Sequence, residues 1–172
     1  MIYTPAFDLY QSIYRMLHIL SHFSSKDEVE VDRLRMWDFY VLFPFKTYDI
    51  KVMNKETEIR DYRGKFISNK RNPYNEVFDD RRLFERMRPY QTLALNMIAS
   101  FGIISPDQLR RHTVRIVNDN RIHALVAQLG PLTTTQSNTL SWLSLYFRTM
   151  PVGGVYGLKH RTNLLESKYD GC

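Results

Sequence analysis

The chain has 172 residues, of which 44% are hydrophobic and 24% charged, so it suits one globular domain or two very small ones. The net charge is +6, and the first 50 residues hold five basic against seven acidic side chains, so the basic surplus lies beyond residue 50. A single cysteine, Cys172, excludes an internal disulfide, and no apolar run approaches the ~18 residues that span a bilayer.

Neither a basic start nor an apolar run of the signal-peptide kind opens the sequence, so we expect a cytoplasmic protein without a membrane partner. The basic surplus has two possible interpretations. Either these side chains attract nucleic acid or an acidic protein, or they form an ordinary solvated surface without such a partner.

Two helices are predicted in the first 49 residues. Apolar side chains spaced three and four apart predict a helix over 5–23 whose core face holds Phe7, Tyr10, Tyr14, Leu17 and Leu20. On the opposite side we expect a polar stripe, solvated or facing a partner, made of Gln11, Arg15, His18 and His22. A second helix is expected from a cap at Ser25 or Asp27 to about Phe43, before Pro44.

The segment "VEVDRLRMWDFYVLFPF" at 29–45 carries more apolar side chains than one core-facing stripe requires. We expect Leu34, Trp37 and Val41 to face the core. Two explanations of the surplus apolar side chains remain open from the sequence. Either all the rings pack in the core, or some of them contact a partner protein.

The middle of the chain is polar. Alternation in "TEIRDYRG" predicts a strand or hairpin arm, and "NKRNPYN" predicts a loop. A helix is expected over 80–102, with Asp79 and Asp80 at its start, Pro89 kinking or splitting it, and Gly102 as its C-terminal cap.

Two further helices are predicted towards the C-terminus. One is short and begins at Ser105 as N-cap with Pro106 in the first turn. The other covers 133–151, with Leu140, Leu143 and Phe147 on one face. The glycine-rich end suits a turn between two short strands, or a wing.

These elements predict a mainly α fold with a few short strands, of winged helix-turn-helix-like type. We divide the chain into an N-terminal helical pair (1–49), a variable polar connector or hairpin (50–79), and a C-terminal helical, winged-helix-like part (80–172). We expect these parts to form one compact unit.

The sequence offers little chemistry. His18 and His22 share a helix face but lack the glutamate of a zinc protease motif, and "GGVYGLK" lacks the lysine–serine/threonine pair of a phosphate-binding loop. No serine lies in a nucleophile elbow. We therefore expect no enzyme, no metal and no cofactor.

Basic side chains near the predicted helix-turn-helix are candidates for phosphate contacts that position a protein on DNA without reading its sequence. The DNA-contact candidates are Arg110, Arg111, Arg115, Lys159, Arg161 and Lys168. "RRLFERMR" at 81–88 is either a helix with arginines in water or a docking surface for an acidic face.

Four blocks, "PAFDLYQSIYRMLHIL", "VEVDRLRMWDFYVLFPF", "RLFERMRPYQ" and "GLKHRTNLLESKYD", together resemble the middle-component family of bacterial ABC-three component systems, a group that includes the Lamassu-type small subunit. The resemblance spans most of the chain except 50–75 and 115–135. It implies a defence role against phage or plasmid DNA, beside an ATPase of the chromosome-maintenance (SMC-like) kind and a variable effector, often a nuclease. It brings no catalytic residue to this sequence.

From the resemblance we expect a non-catalytic accessory subunit that bridges the SMC-like ABC ATPase and the effector nuclease, with double-stranded DNA as a further candidate partner. The partner-interface candidates are Met36, Trp37, Phe39, Phe43, Phe45, Arg86, Arg88 and Tyr90. The alternative is a stand-alone winged-helix transcriptional regulator, which needs a recognition helix rich in base-reading side chains. "PDQLRRHTVR" offers little beyond arginine.

Overall fold

The computed structural model describes residues 4–71 and 79–165. These residues are mostly helical and include one two-stranded sheet, which confirms the predicted mainly α class with a few short strands. They form two compact units, a first unit of residues 4–38 and 86–132 and a second unit of residues 39–71, 79–85 and 133–165. Both units combine segments that are distant in sequence. The division into three parts of one compact unit, at residues 49 and 79, stays a prediction.

The first unit begins with a 3-10 turn, Pro5–Phe7, and helix α1, Leu9–Leu20. Asp8 caps α1 by accepting a hydrogen bond from the Gln11 N–H at 2.9 Å. Strand β1, Val29–Glu30, and helix α2, Val31–Leu42, follow, and α2 contributes its last residues to the second unit.

The same unit continues with the larger part of helix α4, Asp80–Ser100, and then helix α5, Pro106–Arg110, strand β2, Thr113–Val114, and helix α6, Asp119–Gln128. Strands β1 and β2 pair antiparallel, with Val29 opposite Val114. Short helices beside a small antiparallel sheet are consistent with a winged-helix-like arrangement.

Local signals fix the start of α5 as predicted. The Ser105 hydroxyl accepts the Gln108 N–H, and Pro106 occupies the first turn. Gly102 follows the end of α4 with φ of +74°, a left-handed conformation that glycine adopts without strain. Helix α4 runs uninterrupted through Pro89, so the predicted split is wrong. Asp79 accepts the Arg81 N–H at 3.2 Å and thus caps α4.

The second unit contains a 3-10 segment, Pro44–Asp49, helix α3, Thr57–Phe66, helix α7, Thr134–Tyr146, and helix α8, Leu158–Thr162. Helices α3 and α7 pack together, and the indole N–H of Trp142 donates to the Ile59 carbonyl at 2.9 Å. The predicted face of the 133–151 helix is confirmed, because Leu140, Leu143 and Phe147 are all buried.

Two strand predictions are wrong. Residues 57–66 form α3, and Ile59 and Arg63, four apart, are its buried side chains, so the true period is helical. The alternation of polar and apolar residues in "TEIRDYRG" spans too few residues to distinguish a strand from a helix. The glycine-rich end leads into α8 rather than into a strand pair, as far as residue 165. The loop predicted at 69–75 lies mostly outside the described residues. No helix is predicted from the sequence at α6, Asp119–Gln128.

The apolar stripe predicted for the first helix is partly wrong. The Tyr10 side chain is 78% exposed, while Met16 and Ile19 are fully buried. The caps predicted for the second helix are wrong as well. Ser25 is bonded to the Asp119 carboxylate at 2.7 and 2.8 Å, and α2 begins only after β1.

Candidate functional site

The aromatic side chains of α2 are core residues. Met36, Trp37, Phe39 and Phe43 are each at most 8% exposed, which corrects the interpretation that they meet a partner. Even Arg33, Arg35 and Asp38 on this helix are buried, so the burial of α2 is not confined to one apolar face.

Specific ring contacts hold these side chains within their units. In the first unit the Trp37 and Phe23 ring centroids are 5.0 Å apart. In the second unit the Phe39 ring meets the Phe84 ring edge-on at 6.0 Å. Phe45 is half-buried beside Lys46, whose Nζ lies 5.5 Å from the ring centroid, so of the five predicted α2-segment residues only Phe45 reaches the surface.

A buried ionic network crosses the first unit. The Arg15 Nε donates to Asp38 Oδ1 at 2.6 Å, and the side chains are 2% and 0% exposed. Gln91 donates from Nε2 to Asp38 Oδ2 at 2.9 Å and accepts from Arg35 Nε at 2.9 Å. Arg35 in turn lies 3.6 Å from Asp32. The network thus links the interior to a surface carboxylate.

This network corrects the polar stripe predicted on the first helix. Arg15 is buried against Asp38, and His18 is 9% exposed with its Nε2 lying 3.1 Å from the Gly130 carbonyl oxygen. Tyr14 donates to the same oxygen at 2.6 Å, and burial raises the pKa of its phenol. These polar groups hold α1 in place.

Helix α4 presents an apolar stripe to solvent. We call Tyr90, Leu93, Met97 and Phe101 the α4 stripe, because spacings of three and four residues place them on one face. Leu93 is 48% exposed and Phe101 51%. Tyr90 is half-buried, with its ring 5.8 Å from that of Phe7.

One of the predicted interface arginines borders the α4 stripe. Arg86 is exposed, one turn before Tyr90, and its guanidinium carbon lies 4.8 Å from the centroid of the Phe7 ring. Sequence reasoning found Arg86 and Tyr90 but missed Leu93 and Phe101. Their helical spacing was readable, but only the fold shows that this side of α4 is left uncovered.

Arg88, also predicted at the interface, lines a different feature of the first unit. A concave pocket of about 360 Å³ lies between α2, α4 and α5. A second pocket of about 310 Å³ adjoins it, and both are lined by Asn96 and Leu109. We call the two pockets together the α4–α5 groove.

Three of the predicted DNA-contact residues are exposed around α5 and form what we call the α5 arginine cluster, Arg110, Arg111 and Arg115. Arg110 pairs with Asp107 at 2.8 Å and Arg115 with Glu28 at 3.2 Å. Both pairs are solvent-exposed, and such pairs contribute little, so they leave these arginines able to exchange partners.

The other predicted DNA contacts fare differently. Arg161 is 4% exposed and binds Glu56 at 2.8 and 2.9 Å, so its role as a DNA contact is wrong. Its Nε also donates to the Tyr156 carbonyl at 2.8 Å, and this hydrogen bond stabilises the glycine-rich segment before α8. Lys159 is half-buried in the second unit, and Lys168 lies outside the described residues.

The described residues offer no group of three His, Cys, Asp or Glu side chains arranged to hold a metal ion. Within residues 4–71 and 79–165, no helix is long and apolar enough to cross a bilayer. The candidate functional features described above are the α4 stripe, the α4–α5 groove and the α5 arginine cluster.

Comparison with protein families gives a match to the model of the ABC-three component (ABC-3C) system Middle Component 5, over residues 1–170. The chain belongs to this family. Searches among curated proteins and among solved structures found no match. As a middle component of an ABC-3C system, the chain is one part of a multi-subunit assembly and has protein partners.

Proposed function

We propose that this middle component is a non-catalytic connecting subunit that binds both an SMC-like ABC ATPase and an effector nuclease, in a Lamassu-type system acting against phage or plasmid DNA. Membership in the Middle Component 5 family supports an accessory role. The observation that carries the proposal is the α4 stripe, which the chain leaves at the surface although it buries the other large apolar side chains of α4, namely Leu83, Phe84, Met87, Leu95 and Ile98.

The α4 stripe has the chemistry of a protein–protein contact. Half-exposed Leu93 and Phe101 flank Met97, and aromatic side chains and methionine are enriched in such interfaces. Arg86 at one end adds a residue type common among the side chains that dominate binding energy. We therefore assign this surface to a partner subunit of the same system.

Co-expression with the ATPase and the nuclease tests this assignment. We expect the Phe101→Asp chain to lose at least one of the two partners in co-purification, because a carboxylate would be desolvated in an apolar contact. Val117→Asp is the matched control, since Val117 is 58% exposed in the same unit but lies outside the α4 stripe.

Circular dichroism should show both variants folded, because both positions are on the surface. Complexes that form equally well with wild type and Phe101→Asp, with both partners present, would remove the α4 stripe from the proposal. A chain that binds neither subunit would end the connecting role itself.

We further propose that the α5 arginine cluster touches DNA through phosphates. Three arginines within six residues, with only exposed carboxylates as partners, suit a contact that positions without reading bases. The stand-alone regulator gains no support, because α5 is five residues long and the chain belongs to a family of assembly components.

A further inference from the structure

The α4–α5 groove is lined entirely by residues of the first unit. Residues of α2 and α4, together with Leu109 and His112, line its first pocket. Residues of α4 and α5 line the second. Because Asn96 and Leu109 line both pockets, one ligand can contact the two pockets together.

The lining combines basic and apolar side chains. Arg35 and Arg88 line the first pocket and Arg110 lines the second, while Leu95 and Leu109 supply apolar surface. The one acidic residue among all the lining side chains is Asp32. The groove therefore favours a ligand that carries both negative charge and apolar side chains.

Arg35 is held in position before any ligand arrives. The side chain is 4% exposed, and Gln91 accepts from its Nε at 2.9 Å. Its guanidinium also lies 3.6 Å from the Asp32 carboxylate, which shows that a carboxylate fits beside Arg35 at this position. A fixed cation loses little conformational entropy on binding, which favours recognition.

Backbone strain is stored at the same place. His112 has φ of +61°, in the left-handed region that is unfavourable for a residue with a Cβ. Two hydrogen bonds hold it there, from its N–H to the Leu109 carbonyl at 3.0 Å and from the Val31 N–H to its own carbonyl at 3.1 Å. This conformation keeps the exposed imidazole on the groove wall as a further polar group.

We propose that the α4–α5 groove binds an acidic peptide segment of a partner subunit that carries apolar side chains as well as carboxylates. The proposal rests on the connecting function above, because it takes the peptide from a partner. A small inorganic anion would leave the apolar lining side chains without a contact, and a DNA backbone has no apolar side chain to pack against them.

A random twelve-residue peptide library displayed on phage tests the proposal on the full chain. We expect the enriched sequences to combine acidic with apolar side chains. Their synthetic versions should lose binding by about tenfold or more on Arg88→Glu, the effect of losing one charge-assisted contact. Arg82→Glu, an exposed arginine of the same helix outside the groove, is the matched control and should change binding less than about twofold.

Asn96→Trp fills the junction of the two pockets from an exposed helix position and should abolish peptide binding while the chain stays folded. Libraries that enrich no acidic peptides, or peptides that bind Asn96→Trp unchanged, would overturn the proposal. So would equal loss of binding to a 20-base-pair duplex on Asn96→Trp, since the groove would then be a nucleic-acid surface. Peptide binding is measured without partner subunits, so its failure is distinct from failure of assembly.

Discussion

Replacing Asp38 with asparagine should destabilise the first unit strongly without changing its packing. Asp38 is fully buried and accepts hydrogen bonds from Arg15 Nε, Arg15 Nη2 and Gln91 Nε2, at 2.6, 3.3 and 2.9 Å. Asparagine keeps the side-chain volume, so the cost is electrostatic rather than that of a cavity.

Two losses set the magnitude. Arg15, 2% exposed, loses its counter-charge, and breaking a buried pair by removing one partner costs about 3–5 kcal/mol. The asparagine NH2 group would also face the Nε2 donor of Gln91, so the hydrogen bond between these two side chains would be lost. The cost of this lost hydrogen bond is included in the range of about 3–5 kcal/mol. Against a total stability of about 5–15 kcal/mol, the free energy of unfolding should fall by roughly a fifth or more.

Urea denaturation followed by circular dichroism measures this change. A loss of about 4 kcal/mol corresponds to a midpoint shift of roughly 2 M at an m-value near 2 kcal/mol/M. The double variant Arg15→Met with Asp38→Asn removes the uncompensated charge and should recover about 2 kcal/mol of the loss.

Asp107→Asn is the matched control, because the Arg110–Asp107 pair is 77% and 81% exposed and its loss should cost less than about 1 kcal/mol. A midpoint shift of Asp38→Asn as small as that of the control would refute the reasoning. So would a double variant no more stable than the single one, because the buried charge would then not be the source of the cost.

Further variants probe other parts of the chain. The hydrogen bond from Arg161 lowers the pKa of Glu56 below its ordinary value of 4.5, so this carboxylate stabilises the fold above that pH; the destabilisation by Glu56→Gln should be full at pH 7 and shrink as the pH falls below about 4.5 in urea titrations. Gly157→Ala should cost roughly 1–3 kcal/mol, because a Cβ there would lie 2.0 Å from the Gly153 carbonyl oxygen, whereas Gly64→Ala, in open space on α3, should stabilise by up to about 1 kcal/mol in the same assay. Changing all three residues of the α5 arginine cluster to glutamine should flatten the dependence of DNA affinity on salt, measured by fluorescence anisotropy; an unchanged slope would exclude the cluster from phosphate contacts.

The sequence predicted those elements whose signals are local. Ser105 and Pro106 start α5, Gly102 ends the α4 region, and the spacing of Leu140 and Leu143 identifies the buried face of α7. Each of these signals acts within a few residues, through a capping hydrogen bond, a permitted backbone angle or the helical period. The resemblance of the four sequence blocks to the middle components was likewise readable, and the family comparison agrees with it.

The sequence failed where a side chain's role depends on a distant partner. Arg15 reads as a surface residue on a polar stripe, and its burial depends on Asp38, 23 positions later. Arg161 reads as a phosphate contact, yet it is neutralised by Glu56, more than a hundred positions earlier. A charged side chain is buried only where a counter-charge and hydrogen-bond partners surround it. When those partners are distant in sequence, no local pattern can predict the burial.

Composition, periodicity and caps by themselves determined that this chain is mainly helical, rich in apolar side chains and basic beyond residue 50. Only the tertiary structure decided that the rings of α2 are core, while Leu93 and Phe101 of α4 stay at the surface. The physical reason is that a side chain becomes buried only when a second surface packs against it. A helix with apolar side chains on several faces can bury any of them, and its neighbours in space decide which face remains for a partner.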